Sequence, residues 1–299
     1  MDARTELAAL IERFTGSDGM HETALARVGL IRASTPTEPL LALHEPAVCL
    51  IVQGRKQVLV GDAVHIYDRE KYLIVSVDVP VIGQVIEATP EAPYLCLRLD
   101  IDPAMAGALV MDAGLAKARR EPVGGVAVSP VTPGLLDAAL RLVALLDSPD
   151  DAAILAPLVE REILYRLLTG DQGARMAQIA MADNRLQQVN RAISWIKQNY
   201  SRPFSVDSVA SEAGMSASAL HQHFKTVTAM SPLQYQKQLR LQEARRLIVA
   251  QNMDAASAGH AVGYDSPSQF SREYSRVFGA PPLRDAARFR AAPGMLTPA

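Results

Sequence analysis

Residues 262–274 read VGYDSPSQFSREY, and this stretch decides the fold of the second half of the chain. Gly263 is a turn residue, and Ser266 followed by proline is a typical start of a helix. Gln269 stands three residues after Ser266, which predicts a Ser-x-x-Gln capping box. Two aromatic side chains four positions apart share one face of the predicted helix: Phe270 and Tyr274. The stretch therefore predicts a glycine turn that leads into a capped helix with one apolar face.

The same pattern occurs about 50 residues earlier. Its matches are Leu220 with Phe270, Phe224 with Tyr274, Ala229 with Gly279, Pro232 with Pro282 and, one residue closer, Gly214 with Gly263. Ser216 can cap the earlier helix as Ser266 caps the later one. Two helices joined by a short glycine turn form the helix-turn-helix layout, whose second helix can lie in a major groove of DNA.

A long helix is predicted between the two units, from Pro232 to about Ala250. About 18–19 residues give a rod of roughly 28 Å, close to the ~34 Å that separates successive major grooves on one face of DNA. One chain could then present two helices to two grooves and read an asymmetric site. The side chains that the caps leave free to face outward are Ala217, Ser218, His221 and Gln222 in the first unit and Ser268, Gln269, Ser271 and Arg272 in the second.

The charges are distributed unevenly, although the formal net charge of the chain is only −2. Lys and Arg outnumber Asp and Glu by 13 to 7 in residues 186–299, and they are outnumbered by 17 to 25 in residues 1–185. This asymmetry indicates that only the second half meets a polyanion.

The second half resembles a known DNA-binding domain, that of the AraC/XylS family. Residues 262–274, followed by Gly279-Ala280-Pro281-Pro282, resemble its second half, and Gly214-Met215-Ser216 with Leu220 and Phe224-Lys225 resembles its first half. The similarity covers about residues 188–290. It implies groove-reading positions at Ser218, His221 and Gln222 in the first unit and at Pro267, Ser268, Ser271 and Arg272 in the second; the outward-facing Gln269 joins the expected base-reading set.

The chemistry of these side chains suits DNA. Arg272 could bind guanine O6 and N7 with two hydrogen bonds, and Gln222, which stands where the family often has arginine, could bind adenine N6 and N7. Contacts to phosphate would set affinity and salt dependence rather than sequence choice. The expected phosphate contacts are Ser216, Lys197, Arg202, Lys225 and Arg276.

The first half has a different character. Residues 47–101 consist of short β-rich runs with turn signals such as Gly61-Asp62 and no helical pattern between them, which favours an antiparallel sandwich or barrel. Two leucine-rich helices follow, at about 135–146 and 154–168. Each has one apolar face, which must pack on the barrel or on a second copy of the chain. Three strings resemble the cupin-like regulatory domain of one AraC/XylS subgroup: IVQGRK (51–56), SVDVPV (76–81) and REILYRLLTG (161–170).

The expected fold is therefore a two-domain α+β chain. A cupin-like antiparallel β barrel with two following helices occupies residues 1–170, a linker 171–185, an all-α double helix-turn-helix domain 186–290 and a tail 291–299. The resemblance implies a transcriptional activator that contacts RNA polymerase and binds double-stranded DNA. The apolar faces of the two leucine-rich helices suggest a homodimer formed through about residues 132–169, as an alternative to packing on the barrel alone.

Enzyme chemistry is not expected. A metal-dependent enzyme on such a barrel needs clustered histidines and a carboxylate, whereas His21, His44 and His65 lie far apart without an H-x-H pair. The sequence also contains neither a glycine-rich phosphate loop nor a nucleophile elbow. We expect no catalytic residue, no metal and no cofactor.

The barrel suits a small-molecule effector, because barrels tend to hold ligands in their mouths. Candidate lining residues are Cys49, His65, Tyr67, Tyr72 and Cys96. Both cysteines stand in apolar strands, which predicts inert buried thiols. Two alternatives stay open: a thiol- or electrophile-responsive regulator that uses Cys49 or Cys96, and a constitutive DNA binder whose barrel only dimerises.

Composition sets the outer limits. The chain has 299 residues, of which 49% are hydrophobic and 21% charged, as in a folded globular protein of about two domains. No apolar run reaches the ~18–20 residues of a membrane-spanning helix, and the first residues do not resemble a signal peptide. Two cysteines cannot build a disulfide framework. We therefore expect a cytoplasmic protein.

Overall fold

The computed structural model describes residues 2–114, 124–180 and 184–291. Its first part, the sandwich half, combines strands and helices, and its last part, the helical half, contains helices throughout. The helices of the sandwich half are α1 (Ala3–Thr15), α2 (Pro103–Asp112), α3 (Pro133–Ala144), α4 (Pro149–Thr169) and α5 (Gly173–Ala180). This order of a β-rich domain followed by a helical domain confirms the predicted fold class.

The strands form two antiparallel sheets. They are β1 (Gly19–Glu22), β2 (Val28–Ala33), β3 (Leu40–His44), β4 (Ala47–Gln53), β5 (Arg55–Val60), β6 (Ala63–Asp68), β7 (Lys71–Val75), β8 (Val79–Glu87), β9 (Tyr94–Asp100) and β10 (Val126–Pro130). The first sheet has the order β1-β2-β9-β4-β7-β10 and the second the order β3-β8-β5-β6. Their inner faces share one hydrophobic core, so the two sheets pack face to face.

The side chains of β4 point alternately to the two faces of its sheet, and each face packs against a different hydrophobic core. Val48 and Leu50 belong to the core that the helices α1 to α5 cover, whereas Cys49 and Ile51 belong to the core between the sheets. Because successive side chains point to opposite faces of a strand, a continuous apolar run can be buried on both sides. The strand is buried from Ala47 to Val52 for this reason.

Helix α5 changes one sequence-based boundary. The predicted linker at 171–185 contains this helix, and its Met176 and Ala177 are buried in the core beneath the helices of the sandwich half. The described residues up to 180 therefore pack with the first domain, and residues 181–183 of the predicted linker lie outside the described ranges. Most of the predicted tail, residues 292–299, lies outside them as well.

The helical half follows the predicted repeat closely. Its helices are α6 (Asn184–Asn199), α7 (Val206–Ala213), α8 (Ala217–Thr228), α9 (Pro232–Ala250), α10 (Ala255–Ala261), α11 (Pro267–Phe278) and α12 (Pro282–Ala291). Helices α7 and α8 form the first unit, and α10 and α11 form the second unit. The 19-residue helix α9 connects them with the bounds that the sequence predicts.

The two halves pack against each other. Side chains of α6, α8 and α9 join the core between the sheets. Tyr235 of α9 donates a hydrogen bond from its hydroxyl to the Asp78 carbonyl (3.0 Å), and the Gly125 amide donates to the Val227 carbonyl of α8 (2.7 Å). The first unit is therefore fixed on the sandwich by side-chain packing and by backbone hydrogen bonds.

Candidate nucleic-acid interface

Helix α8 begins and faces outward as its sequence predicts. Gly214 adopts a left-handed conformation (φ 66°) that closes α7, and the Ser216 hydroxyl accepts a hydrogen bond from the Ala219 amide at the start of α8. Leu220 and Phe224 are fully buried. The opposite side of the helix exposes three predicted base-reading side chains: Ser218, His221 and Gln222.

Helix α11 repeats this arrangement in the second unit. Ser266 caps it through the Gln269 amide (3.3 Å), and Pro267 occupies its first turn. Phe270 and Tyr274 are fully buried with their ring centroids 5.5 Å apart. Of the predicted base-reading residues, Ser268, Gln269 and Arg272 are exposed and Ser271 is half-buried.

The expected capping box of α11 is only half formed, which corrects the sequence analysis. The Gln269 side chain does not return to Ser266 but donates a hydrogen bond to the Glu273 carboxylate (3.2 Å). The complete box lies at α9, where the Ser231 amide donates to Gln234 Oε1 (2.9 Å) and the Ser231 hydroxyl accepts from the Gln234 amide.

Glu273 connects α11 to the long helix α9. Its carboxylate accepts hydrogen bonds from Lys237 of α9 (2.8 Å) and from the Tyr264 hydroxyl (2.8 Å) as well as from Gln269. Burial raises the pKa of Glu273, but the hydrogen bonds from Lys237, Tyr264 and Gln269 outweigh burial and leave the pKa below its ordinary value. A charged Glu273 therefore fixes the rotation of α11 against α9.

A buried ion pair holds α12 against the same unit. Asp285 accepts two hydrogen bonds from the Arg245 guanidinium (2.8 and 2.9 Å) and a third from the Tyr274 hydroxyl (2.8 Å). These residues link α9, α11 and α12 inside a core that is separate from the core of the first unit. Sequence reasoning missed this network, because its members lie far apart along the chain.

Four of the five predicted phosphate contacts have accessible side chains. Lys225, Arg202 and Arg276 are exposed, and Ser216 is exposed while it caps α8. Lys197 is half-buried, and its predicted phosphate contact stays a prediction. Its ammonium group forms ion pairs with Asp78 and, at 3.7 Å, with Glu45 of the sandwich half, so it contributes to the contact between the halves.

The predicted effector residues fall into two groups. Cys49, Tyr67 and Cys96 are buried in the core between the two sheets, and His65, which lies on the same strand as Tyr67, is half-buried. Tyr72 lies on the opposite face of its sheet, in the core that the helices cover. The structure therefore brings together the two cysteines and Tyr67 but not Tyr72.

Two residues that sequence reasoning did not propose, Tyr94 and His44, belong to the same interior. Both are buried, and neither the hydroxyls of Tyr67 and Tyr94 nor His44 Nδ1 has a hydrogen bond of regular geometry. Tyr94 stands two positions before Cys96 on β9, so strict alternation places both on one face. That spacing was a usable signal for Tyr94, whereas the position of His44 depends on sheet pairing.

The electrostatics of this interior are uneven. A hydrogen bond with Cys96, opposed by burial and assisted by Arg98 and Lys56, lowers the pKa of the Cys49 thiol to about 7. Burial raises the pKa of Cys96 and of Tyr67 and Tyr94 well above their ordinary values. Burial, with Lys56 and Arg98 nearby, also lowers the pKa of His44, so its ring is neutral at pH 7.

Within residues 2–114, 124–180 and 184–291, no group of three or more His, Cys, Asp or Glu side chains is arranged to hold a metal ion. In the same ranges no helix is long and apolar enough to cross a membrane.

Comparisons with known proteins address both halves. Residues 24–175 match the family model described as AraC-type transcriptional regulator N-terminus, and residues 209–288 match a helix-turn-helix domain model. The HTH-type transcriptional activator RhaS of Pectobacterium carotovorum is 30% identical over 96 residues, which are 32% of this chain and 34% of RhaS. The virulence regulon transcriptional activator VirF of Yersinia enterocolitica is 27% identical over 153 residues, 51% of this chain and 56% of VirF. The chain thus spans about a third to a half of the length of these relatives.

A solved structure supports the whole arrangement of the fold. The apo form of a ToxT variant from Vibrio cholerae superposes with a TM-score of 0.56 over 89% of this chain and 99% of ToxT, at 8% sequence identity. At this identity the likeness concerns the fold alone.

Proposed function

The chain belongs to the AraC-type transcriptional regulators, and from this premise we propose that α8 and α11 read two successive major grooves of one DNA duplex. One observation carries the proposal: two capped helices with buried apolar faces precede and follow the 19-residue helix α9 in the chain, and they expose matching outward positions. A length of about 28 Å for α9 is compatible with the ~34 Å between successive grooves. The site read in this way is asymmetric.

The side chains divide into two roles. Arg272 and Gln222 read bases through two-pronged hydrogen bonds, to guanine and adenine respectively, and Ser218, His221, Ser268, Gln269 and Ser271 assist them. Lys225, Arg202 and Arg276 bind phosphates, and Ser216 places the start of α8 against the backbone. The first group sets sequence choice, and the second sets affinity and its dependence on salt.

Selection of binding sites from random DNA by the full-length protein tests this assignment. We expect one asymmetric preferred site, and we expect Arg272→Ala to lose base preference at one position of the second half-site at a cost of about 1–3 kcal/mol. Arg288→Ala, which removes an exposed arginine of α12, serves as the control and should leave base preference unchanged. A wild-type protein without sequence preference at moderate salt would overturn the proposal.

The names of two relatives support a role as an activator of transcription. RhaS and VirF are both named activators, and we propose the same sign for this chain, with RNA polymerase as the partner it recruits in the cytoplasm. A reporter gene downstream of the selected site should rise in expression when the protein is present. A fall in expression at every promoter position would assign repression instead.

We propose a small polar effector for the sandwich half. Buried polar atoms are almost always hydrogen-bonded, yet His44 Nδ1 has no partner among the described residues, and the hydroxyls of Tyr67 and Tyr94 have only poorly aligned contacts with each other and with the Cys96 thiol. A ligand with hydrogen-bonding groups would satisfy them. A ToxT structure contains a bound unsaturated fatty acid, which supports small-molecule binding as a property that this fold permits.

Thermal melting of the full chain with a panel of small polar metabolites tests the effector site. The double variant Tyr67→Phe/Tyr94→Phe should melt close to the wild type, because the hydroxyls that it removes form no hydrogen bond of regular geometry, and it should lose any ligand-dependent shift. Tyr165→Phe, which alters an exposed tyrosine of α4, is the control that keeps the shift. If no metabolite changes the melting temperature or the DNA affinity, the constitutive alternative holds.

We also propose that two copies pair through α4. Ile154, Leu158 and Tyr165 of this helix are 71%, 60% and 47% exposed, on the side that faces away from the core. A two-fold interface uses the same patch of both subunits, so one apolar helix face suffices. Sedimentation should show a dimer that Leu158→Glu dissociates, whereas a wild-type monomer at high concentration would exclude this interface.

A further inference from the structure

Arg240 lies near the middle of α9 and contacts both the loop that leads into the first unit and the turn of the second unit. Its guanidinium donates hydrogen bonds from Nε to the Tyr200 carbonyl (2.6 Å), from Nη2 to the Arg202 carbonyl (2.7 Å) and from Nη1 to the Gly263 carbonyl (2.8 Å). The first two carbonyls follow α6 and lead into the first unit, and the third belongs to the turn of the second unit. One side chain of the long helix therefore connects the loop before the first unit to the turn of the second unit.

The three acceptors suit a cation. They lie just beyond the carboxyl ends of α6 and α10, where backbone carbonyls lack intrahelical partners and the helix dipole is negative. A planar guanidinium can serve several acceptors in fixed directions, which a lysine ammonium on a flexible stem does less well. The side chain is half-buried, and its centre lies 5.7 Å from the Tyr264 ring centroid.

The units touch each other at the same place. Gly263 has φ +90°, and a side chain added there would approach the Ser201 carbonyl oxygen to 2.0 Å. Gln236, one turn before Arg240 on α9, donates to the Tyr200 and Arg202 carbonyls (2.9 Å each). The loop after α6 and the turn of the second unit are thus held together by five hydrogen bonds from two side chains of one helix.

We propose that Arg240 is a positioning residue that sets the spacing between the two DNA half-sites the protein accepts. The inference rests on the proposed function, in which α8 and α11 read one duplex. Arg240 directs the donors above to protein carbonyls, so it acts through the relative position of the two units and not by contact with DNA. Each added base pair rotates one half-site by about 34° and shifts it by about 3.4 Å, so a rigid pair of units discriminates strongly between spacings.

The test measures binding of the full-length protein to duplexes that keep both half-sites and change only the spacing between them, from one base pair fewer to two more. We expect the wild type to lose about tenfold or more in affinity for each base pair away from the best spacing, which is the effect of 1.4 kcal/mol. Arg240→Met should bind the best spacing more weakly and show differences between spacings of less than about threefold. Arg246→Met is the matched control, because this exposed arginine of α9 pairs with Glu243 of its own helix, and it should keep the wild-type profile.

Two further variants separate positioning from other roles. Arg240→Lys keeps the charge but not the three directed bonds, so it should broaden the spacing profile, whereas a phosphate-binding role would let lysine restore wild-type behaviour. Gln236→Met removes two of the five hydrogen bonds and should partly broaden the range of half-site spacings that the protein accepts. This variant tests the proposal if circular dichroism shows that Arg240→Met does not fold. Equal weakening at every spacing in all three variants would overturn the inference and leave the proposed function standing. A wild type that binds all sequences alike would overturn the proposed function itself.

Discussion

The second unit depends on a charge buried beneath its outward helix, and Asp285→Asn probes this dependence. Arg245 and Asp285 are 8% and 3% exposed, and two charged hydrogen bonds join them. Removing one partner of a buried ion pair costs about 3–5 kcal/mol. Asparagine keeps the volume and one acceptor oxygen, so we expect the lower end of this range, about 3 kcal/mol, which is a large fraction of the ~5–15 kcal/mol that stabilises a typical domain.

Amide hydrogen exchange locates the effect. A loss of about 3 kcal/mol corresponds to roughly a hundredfold faster exchange, and it should appear in α10, α11 and α12 but much less in α7 and α8, because the two units have separate cores. Base preference should fall at the second half-site only. Asp265→Asn, at an exposed aspartate of the same unit, is the control. Equal acceleration in both units, or a loss below about 1 kcal/mol, would refute the assignment of this pair to the second unit.

Three further predictions concern other parts of the chain. Gln234→Ala removes half of the capping box of α9 and should lower the free energy of unfolding by about 1 kcal/mol in urea titrations. An unchanged midpoint of the urea titration would show that the capping box does not stabilise the protein. The pKa of Glu273 is lower in the folded than in the unfolded chain, so its stabilisation is present above the unfolded pKa and is lost as pH falls through the folded one; the melting temperature should drop on acidification, and less so in Glu273→Gln. Cys49 and Cys96 are 2% and 0% exposed, so native protein at pH 7 should resist iodoacetamide although the pKa of Cys49 is about 7, and rapid labelling would favour the thiol-responsive alternative.

Local signals predicted the helical half well. The φ of 66° at Gly214, the cap at Ser216 and the bounds of α9 agree with the sequence interpretation, because helix ends are determined by residues adjacent in sequence. The error at Gln269 has a tertiary cause. Its side chain forms a hydrogen bond with Glu273, whose carboxylate is held in place by Lys237 and Tyr264. A rule based on residue spacing cannot predict that Glu273 competes with Ser266 for Gln269.

The sandwich half was predicted less completely. The short β-rich runs and their turn signals predicted β strands, but they did not show which face of its sheet each side chain takes. That Tyr72 lies in one core and Tyr67 in the other depends on how the strands pair. The exposed strand β6 and the helix α5 were not recognised, since β6 has few buried residues and α5 follows glycines typical of a linker. The role of Lys197 needed the docked position of Asp78, which is 119 residues away.

The core that runs from between the sheets into α6, α8 and α9 has a practical consequence. Ile193, Tyr235 and Leu239 are buried there partly by strands of the other half. A fragment that begins at residue 184 would expose this apolar flank to water, and exposed patches of that kind promote self-association. Cutting the protein in two should therefore yield a helical piece that precipitates on its own and regains solubility when the sandwich is supplied in trans.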